Sequence, residues 1–169
     1  FQSLALLGAL FLQIKEFDLA KPLLEKVVQI DPNNLDANNN LGIIFKELGE
    51  SKKAIKFYEK AIEINPNYIH AKINLGIAHQ DLGDFKKAVS SYEKAIEINP
   101  NYAETHNNLA FVQKKIGEYP KAIKSYQKAI EINPNNLDAN KNLGEIFKEL
   151  REYPKAIKFY EKAIEINPN

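Results

Sequence analysis

Between residues 35 and 68 the apolar residues recur in two separate groups with helical spacing. The first group is Ala37, Leu41, Ile44, Phe45 and Leu48, and the second is Ala54, Ile55, Tyr58, Ala61 and Ile62. Residues spaced in this way lie on one stripe of an α-helix, so the pattern predicts two amphipathic helices. Gly49 supplies a turn between them, and Asn65 ends the second helix because the residue before a proline is pushed out of helical conformations. The segment is therefore predicted to be a helix hairpin.

The same pattern repeats along the whole chain. Five prolines lie 34 residues apart, at Pro32, Pro66, Pro100, Pro134 and Pro168. Small residues recur in phase where two helices would cross closely, at Gly8, Gly42, Gly76, Ala110 and Gly144. The spacing predicts a single array of five repeats, with boundaries 1–34, 35–68, 69–102, 103–136 and 137–169. One hairpin cannot bury its own apolar stripe, so we expect neighbouring hairpins to stack into an all-α solenoid.

Composition excludes several classes of partner. The 169 residues carry 23 Lys plus Arg against 22 Asp plus Glu, and a net charge of +1 lacks the basic surface that nucleic-acid binding needs. No apolar run approaches the roughly 18 residues of a membrane-spanning helix, so no membrane partner is expected. The chain contains no Cys, and its three histidines occupy different repeat positions, which predicts no metal site and no cofactor. No phosphate-binding loop or catalytic cluster is present, so the sequence predicts that this chain is not an enzyme.

These residues resemble the tetratricopeptide repeat family, whose unit favours Leu-Gly in the first helix, then Ala, an aromatic residue and a closing Pro. The second repeat has Leu41-Gly42, Ala54, Tyr58, Ala61 and Pro66 at those places. The resemblance implies a right-handed superhelical α-solenoid that acts as a protein-binding scaffold and holds an extended peptide in its concave groove. The first repeat departs most, because Pro22 falls inside its second helix; Asp18 as a helix cap would place Pro22 near the helix start.

The sixth position of each repeat carries the candidate binding residues. Asn40, Asn74, Asn108 and Asn142 form a ladder in repeats two to five, although Asn is a mediocre helix former. Either duplication has copied one ancestral residue, or the carboxamides serve to bind a peptide backbone, since each offers a donor and an acceptor. An apolar strip accompanies the ladder at Ile43, Ile77 and Phe111 and ends at Glu145. Asn39, Asn107 and His70 occupy other positions on the same predicted wall.

A narrower resemblance concerns the strings DANNNLG, AETHNNLA and DANKNLG, which begin at Asp36, Ala103 and Asp138. They are similar to the repeats that precede the catalytic domain of O-linked N-acetylglucosamine transferases. That resemblance implies that the asparagine ladder binds the backbone of a substrate polypeptide, with this chain as the recognition arm and the catalytic domain elsewhere. The chaperone-tail clamp of other tetratricopeptide domains is not expected, because the required Lys and Arg are missing.

Both ends of the array carry apolar residues with no predicted neighbour. Ile157, Tyr160 and Ile164 in the last repeat match residues that should receive the next hairpin, and Leu6 and Leu12 lie in the apolar first helix. A patch of this kind predicts either further repeats or self-association through the open ends. The chain has no Met and begins at Phe1, so we interpret it as a piece of a longer protein. The absence of a targeting segment favours a cytoplasmic location.

Overall fold

Ten α-helices and no strand form the regular structure of residues 2–168, the part of the chain that the computed structural model describes. They are α1 (Gln2–Gln13), α2 (Phe17–Ile30), α3 (Leu35–Glu47), α4 (Ser51–Ile64), α5 (Ile69–Asp81), α6 (Phe85–Ile98), α7 (Ala103–Lys115), α8 (Tyr119–Ile132), α9 (Leu137–Glu149) and α10 (Tyr153–Ile166). Each predicted repeat thus contributes two helices joined by a short turn. The prediction of an all-α fold built from helix-turn-helix repeats is confirmed.

The turn inside each hairpin has the same backbone geometry. In the second repeat the N–H of Gly49 donates to the carbonyl of Lys46, and the N–H of Glu50 donates to the carbonyl of Phe45. These two bonds form a Schellman motif, which requires a left-handed residue after the helix end. Gly49, Gly83 and Gly117 supply it with φ of 76°, 74° and 79°. Lys15 and Arg151 adopt φ of 62° and 60° at the same place in the first and last repeats.

The chain divides into two compact units, Phe1–Lys87 and Ala88–Asn169. In the first unit a buried cluster joins Ala20, Leu24 and Val27 of α2 to Ala37, Leu41 and Ile44 of α3. In the second unit the corresponding cluster joins Ala122, Tyr126 and Ala129 of α8 to Ala139, Leu143 and Ile146 of α9. Within each unit the core therefore lies between the second helix of one repeat and the first helix of the next. This stacking buries the apolar stripes that an isolated hairpin would expose.

The glycines of the first helices lie where the two helices of a hairpin cross. A Cβ added to Gly8 would lie 2.8 Å from Cγ of Leu24, and one added to Gly144 would lie 2.7 Å from the ring of Tyr160. A Cβ on Gly42 would meet the ring of Tyr58. Larger side chains at these places would push the helix axes apart, which explains why small residues recur there.

Buried polar side chains tie the start of a first helix to the loop before it. Nδ2 of Asn38 donates to the carbonyls of Asn34 at 2.8 Å and Pro32 at 3.1 Å. Nδ2 of Asn140 donates to the carbonyl of Asn136 at 2.9 Å, and Nε2 of His106 lies 2.8 Å from the carbonyl of Pro100. All three side chains belong to the fourth position of their repeats. Because each satisfies loop carbonyls, these residues hold consecutive hairpins in register.

Asp18 does not cap α2, so the condition under which Pro22 would lie near the helix start is not met. The residue before the helix is Glu16, which makes no side-chain capping bond, and Asp18 lies inside the first turn. The helix continues through Pro22 to Ile30. Pro22 lies in the second turn, where its missing N–H leaves one backbone carbonyl without its usual partner.

Candidate functional site

The exposed face of the first helices carries the predicted binding residues, in one strip in each unit. The strip of the first unit consists of Asn39, Asn40 and Ile43 on α3 and of Asn74 and Ile77 on α5. Asn40 and Ile43 are three residues apart, as are Asn74 and Ile77, so each pair lies on one helix face. All except Asn39 are partly exposed.

One hydrogen bond crosses the first-unit strip between repeats. Nδ2 of Asn74 donates to Oδ1 of Asn39 at 3.3 Å, and Asn39 is buried. The carboxamide of Asn40, by contrast, has no hydrogen-bond partner among residues 2–168. Asn39, the acceptor for Asn74, is the fifth residue of the preceding repeat. The fifth residue of the repeat before Asn40 is Ala5, whose side chain has no acceptor. Asn74 therefore contributes to stacking, while both polar atoms of Asn40 stay available to a ligand.

The strip of the second unit consists of Asn107, Asn108 and Phe111 on α7 and of Asn142 on α9. Oδ1 of Asn107 is buried and has no hydrogen-bond partner in the described chain. Asn142 occupies the place of Asn74, but its Nδ2 donates to the carbonyl of Asp138 in its own helix at 2.9 Å. Asn108 has no hydrogen-bond partner within residues 2–168. This unit thus presents one free carboxamide beside a buried acceptor that lacks a donor.

Charged residues border the second-unit strip. Nζ of Lys115 lies 5.3 Å from the ring centroid of Phe111, which packs against the core of this unit. Lys114 pairs with Glu145 and, at 3.8 Å, with Glu149. The hydroxyl of Tyr119 donates to Glu149 at 2.8 Å, and this bond raises the pKa of Tyr119. Glu145, which interrupts the apolar strip in the sequence, is therefore partly neutralised by Lys114.

The histidines have separate structural surroundings. His70 is exposed and lies edge-on to the ring of Tyr68, with 5.8 Å between centroids. The hydroxyl of Tyr68 donates to Asp36 at 3.4 Å, and burial, together with Asp36, raises the pKa of Tyr68. His79 is buried, as its place at the position of Phe45 predicts. Among the described residues no group of three His, Asp or Glu side chains could hold a metal ion.

The apolar residues predicted at the two ends are exposed to different degrees. Ile157 and Ile164 of α10 are exposed, and Tyr160 is partly buried. Leu6 of α1 is exposed, whereas Leu12 packs against the core of the first unit. None of the helices within residues 2–168 combines the length and the apolar character that crossing a membrane requires.

Family comparison identifies the repeats. Models of the tetratricopeptide repeat match residues 1–34, 35–68, 103–136 and 138–169, and a further TPR repeat model matches residues 81–117. Together with the hairpins and the small residues at the helix crossings, these matches define the class: the chain belongs to the tetratricopeptide repeat family.

Several solved structures have the same fold. The crystal structure of MamA is similar over 95% of this chain and 94% of that chain, with 28% identity and a TM-score of 0.89. YrrB, described as a TPR protein with an unusual peptide-binding site, is 23% identical over 96% of this chain and 84% of its own, with a TM-score of 0.81. PilF of Pseudomonas aeruginosa is 23% identical over 98% of this chain and 76% of its own, with a TM-score of 0.88. A comparison with curated proteins finds no match.

Proposed function

We propose that this chain is a protein-interaction module in which the asparagine strip of each unit binds an extended polypeptide segment. Membership of the tetratricopeptide repeat family supports the interaction role, and the description of YrrB as a peptide-binding member of that family supports a peptide as the ligand. The strips supply what an extended backbone needs, namely side chains that both donate and accept hydrogen bonds beside partly exposed apolar residues.

The observation that carries the proposal is the free carboxamide of Asn40 and of Asn108, because both side chains are partly exposed and neither has a hydrogen-bond partner among residues 2–168. Each carboxamide offers a donor and an acceptor, and a peptide group of a bound segment needs both. The Oδ1 of Asn107 is too buried to meet a ligand, and the equivalent oxygen in the first unit, that of Asn39, accepts from Asn74 of the same chain.

Hydrogen bonds alone do not give this site useful affinity. Each net bond contributes about 0.5–1.5 kcal/mol, so one bond from each of the two free asparagines gives roughly 1–3 kcal/mol together. Millimolar binding already requires about 4 kcal/mol. Apolar side chains of the ligand should therefore contact Ile43 and Ile77 in the first unit and Phe111 in the second. We expect the preferred ligand to be an extended segment with apolar residues at intervals.

The test uses the two asparagines that have no partner in the chain. Peptides selected from a random phage-displayed library against the wild-type chain would be titrated against the double variant Asn40→Ala and Asn108→Ala by fluorescence anisotropy. Loss of two bonds predicts a rise in Kd of roughly 5- to 150-fold. The melting temperature should not fall, because neither side chain bonds the protein and Ala is the better helix former.

A matched control changes two carboxamides elsewhere. Gln29 on α2 and Gln127 on α8 are exposed residues of second helices, away from the strips. The variant Gln29→Ala with Gln127→Ala should bind the selected peptides as the wild type does. Equal affinity of the asparagine double variant and this control would refute the role of the strips.

A narrower version of the proposal places the chain beside a catalytic domain. The similarity of the strings at Asp36, Ala103 and Asp138 to transferase repeats supports a role as the substrate-recognition arm of a glycosyltransferase of the O-linked N-acetylglucosamine type. The reading frame of the gene beyond residue 169 tests it. A nucleotide-sugar-binding domain would support the arm, and its absence would leave the general interaction role alone.

A further inference from the structure

We propose that a cavity in the second unit binds a phenylalanine side chain of a partner polypeptide. The cavity has a volume of about 450 Å³ and lies between α7, α8 and the end of α6 that belongs to this unit. It is called here the Ser125 cavity, and the less exposed part of its lining consists of Ile96, His106, Leu109 and Ser125. Binding at this place does not depend on the asparagine strips.

The Ser125 cavity is separate from the asparagine strip of the same unit. Helix α7 contributes His106 and Leu109 to the cavity, and it contributes Asn107, Asn108 and Phe111 to the strip. A helix turns about 100° per residue, so the two cavity residues lie on one side of α7 and the three strip residues lie on the opposite side. A ligand in the cavity therefore leaves the strip uncovered.

The cavity lies where the fourth repeat departs from the second and the fifth. In those two repeats Phe57 and Phe159 each stack on a phenylalanine of the first helix, with 5.3 Å and 5.6 Å between ring centroids. The fourth repeat has Ser125 and Gln113 at the two positions, and Oγ of Ser125 donates to Oε1 of Gln113 at 2.8 Å. A small hydrogen-bonded pair thus replaces two stacked rings.

The missing ring uncovers the floor of the cavity. Leu109 lines the cavity and is 6% exposed, whereas Leu143 at the same position of the fifth repeat is 0% exposed. The fifth repeat has an equivalent cavity of about 340 Å³ between α8, α9 and α10, but Phe159 lines it and Leu143 does not. The Ser125 cavity therefore reaches deeper, into the place that a phenylalanine ring covers in the fifth repeat.

A phenyl ring is the group that fits this place, because the chain itself puts one there in two other repeats. Ile96 and Leu109 offer apolar contacts to such a ring from α6 and α7. Aromatic side chains seated in pockets supply much of the binding energy at protein interfaces. A phenylalanine of another polypeptide would thus take the position that Ser125 leaves open.

Charged residues at the mouth of the cavity indicate which residues should flank that phenylalanine. Glu93 and Glu97 of α6 are exposed and have no ion pair among residues 2–168. At the position of Glu97, three other repeats pair the glutamate with the lysine three residues before it, as Lys60–Glu63, Lys128–Glu131 and Lys162–Glu165. From α8 the exposed Lys124 lines the cavity, also without an ion pair in the described chain. The mouth therefore presents unpaired carboxylates on α6 and an unpaired ammonium on α8.

These charges complement a phenylalanine that has a basic residue on one side and an acidic residue on the other. Alternate residues of an extended segment point in the same direction, so the charged residues should lie two positions away from the phenylalanine. The probe is accordingly the acetylated and amidated peptide Arg-Gly-Phe-Gly-Glu.

NMR titration of the isotopically labelled chain of residues 1–169 with this peptide provides the test. We expect the backbone amide signals of Leu109 and Ser125 to shift and to saturate. Alanine in place of the phenylalanine should raise Kd about 10-fold or more, because the ring no longer fills the cavity. Glutamine at both charged positions should raise Kd roughly 2- to 5-fold, as expected for exposed ion pairs.

Two variants of the chain probe the cavity itself. Gln113→Phe with Ser125→Phe restores the stacked pair of the other repeats; it should keep the wild-type melting temperature and raise Kd about 10-fold or more. Glu93→Gln with Glu97→Gln changes only exposed residues, so the fold is retained, and Kd should rise roughly 2- to 5-fold.

The matched control is Glu161→Gln with Glu165→Gln, which makes the same changes at the same repeat positions of α10, outside the Ser125 cavity. It should bind the peptide as the wild type does. A wild-type chain whose Leu109 and Ser125 signals do not shift, equal affinity for the alanine peptide, or a glutamine variant of α6 that behaves like its control would each overturn the proposal. None of these results bears on the asparagine strips, which are tested by variants at Asn40 and Asn108.

Discussion

Replacing Arg151 with glycine should stabilise the protein. Arg151 occupies the left-handed position of the last Schellman turn with φ of 60°, where Gly49 stands in the second repeat. The surrounding bonds are the same, because the backbone N–H of Arg151 donates to the carbonyl of Lys148 at 3.0 Å and the N–H of Glu152 donates to the carbonyl of Phe147 at 2.8 Å. A Cβ built on Gly49 would meet no atom within 4 Å. The difference between the two turns is therefore one of backbone conformation and not of packing.

The expected magnitude follows from two opposing contributions. Placing a non-glycine residue in the left-handed region costs roughly 1–2 kcal/mol. Removing this strain stabilises the folded chain. Glycine also gives the unfolded chain more conformational freedom, which offsets about 0.4–1 kcal/mol of that stabilisation. Arg151→Gly should therefore raise the free energy of unfolding by about 0.5–1 kcal/mol, and Gly49→Arg should lower it by a similar amount. For a chain of this size about 1 kcal/mol corresponds to a rise in Tm of roughly 2–4 °C.

Urea and thermal denaturation followed by circular dichroism measure these changes. The control is Arg151→Ala, which removes the charge and the long side chain but keeps Cβ and the left-handed strain. We expect this control to have the stability of the wild type. If Arg151→Ala stabilises as much as Arg151→Gly, the effect comes from the charge; if neither variant stabilises, the turn is not strained and the reasoning fails.

Two further predictions concern buried polar side chains. Asn38→Ala should lower the free energy of unfolding by about 1–3 kcal/mol in urea titrations, because it leaves loop carbonyls without donors. Asn40→Ala is the control and should not lower it. Equal effects of the two variants would contradict the structural role of Asn38. Burial and the nearby charge of Lys87 lower the pKa of His79 in the folded chain. The imidazole therefore binds a proton more readily in the unfolded chain, and the free energy of unfolding should fall as the pH drops below about 6.5. His79→Phe, which restores the residue of the sister repeats, should reduce that loss, and an unchanged pH profile would contradict the assignment.

Periodicity was sufficient to predict the hairpins, because the apolar stripes and the prolines recur without interruption. Gly49 lies in a turn, as the gap between its two apolar groups indicates, and the buried position of His79 matches that of Phe45 in the sister repeat. The N-terminus of α2 could not be predicted in the same way. Its cap depends on local backbone geometry at Glu16, and Asp18, whose side chain could have served as a cap, lies two residues after the cap position.

The contacts of the three adjacent residues Asn38, Asn39 and Asn40 could not be predicted from the sequence. Three adjacent carboxamides have three different fates: Asn38 binds loop carbonyls, Asn39 accepts from the next repeat, and Asn40 is free of partners in the described chain. Composition does not separate them, because helix rotation of about 100° per residue turns neighbours to different surroundings. A usable signal was present at the fourth position, where Asn38, His106 and Asn140 are all side chains that can donate to a carbonyl.

The ladder positions differ in a way that bears on why they are asparagine. Duplication alone accounts for the same residue at Asn40, Asn74, Asn108 and Asn142. Among residues 2–168, however, only two of these side chains make hydrogen bonds, Asn74 across repeats and Asn142 within its own helix. Asn74 can be explained by stacking on Asn39, so its replacement would confound folding with binding. Asn40 and Asn108 make no such hydrogen bond among residues 2–168. Each therefore weakens its helix, because asparagine is a poor helix former, without a compensating contact in the described chain. A binding role for the strips therefore depends on Asn40 and Asn108, and variants at these two positions separate ligand binding from inheritance.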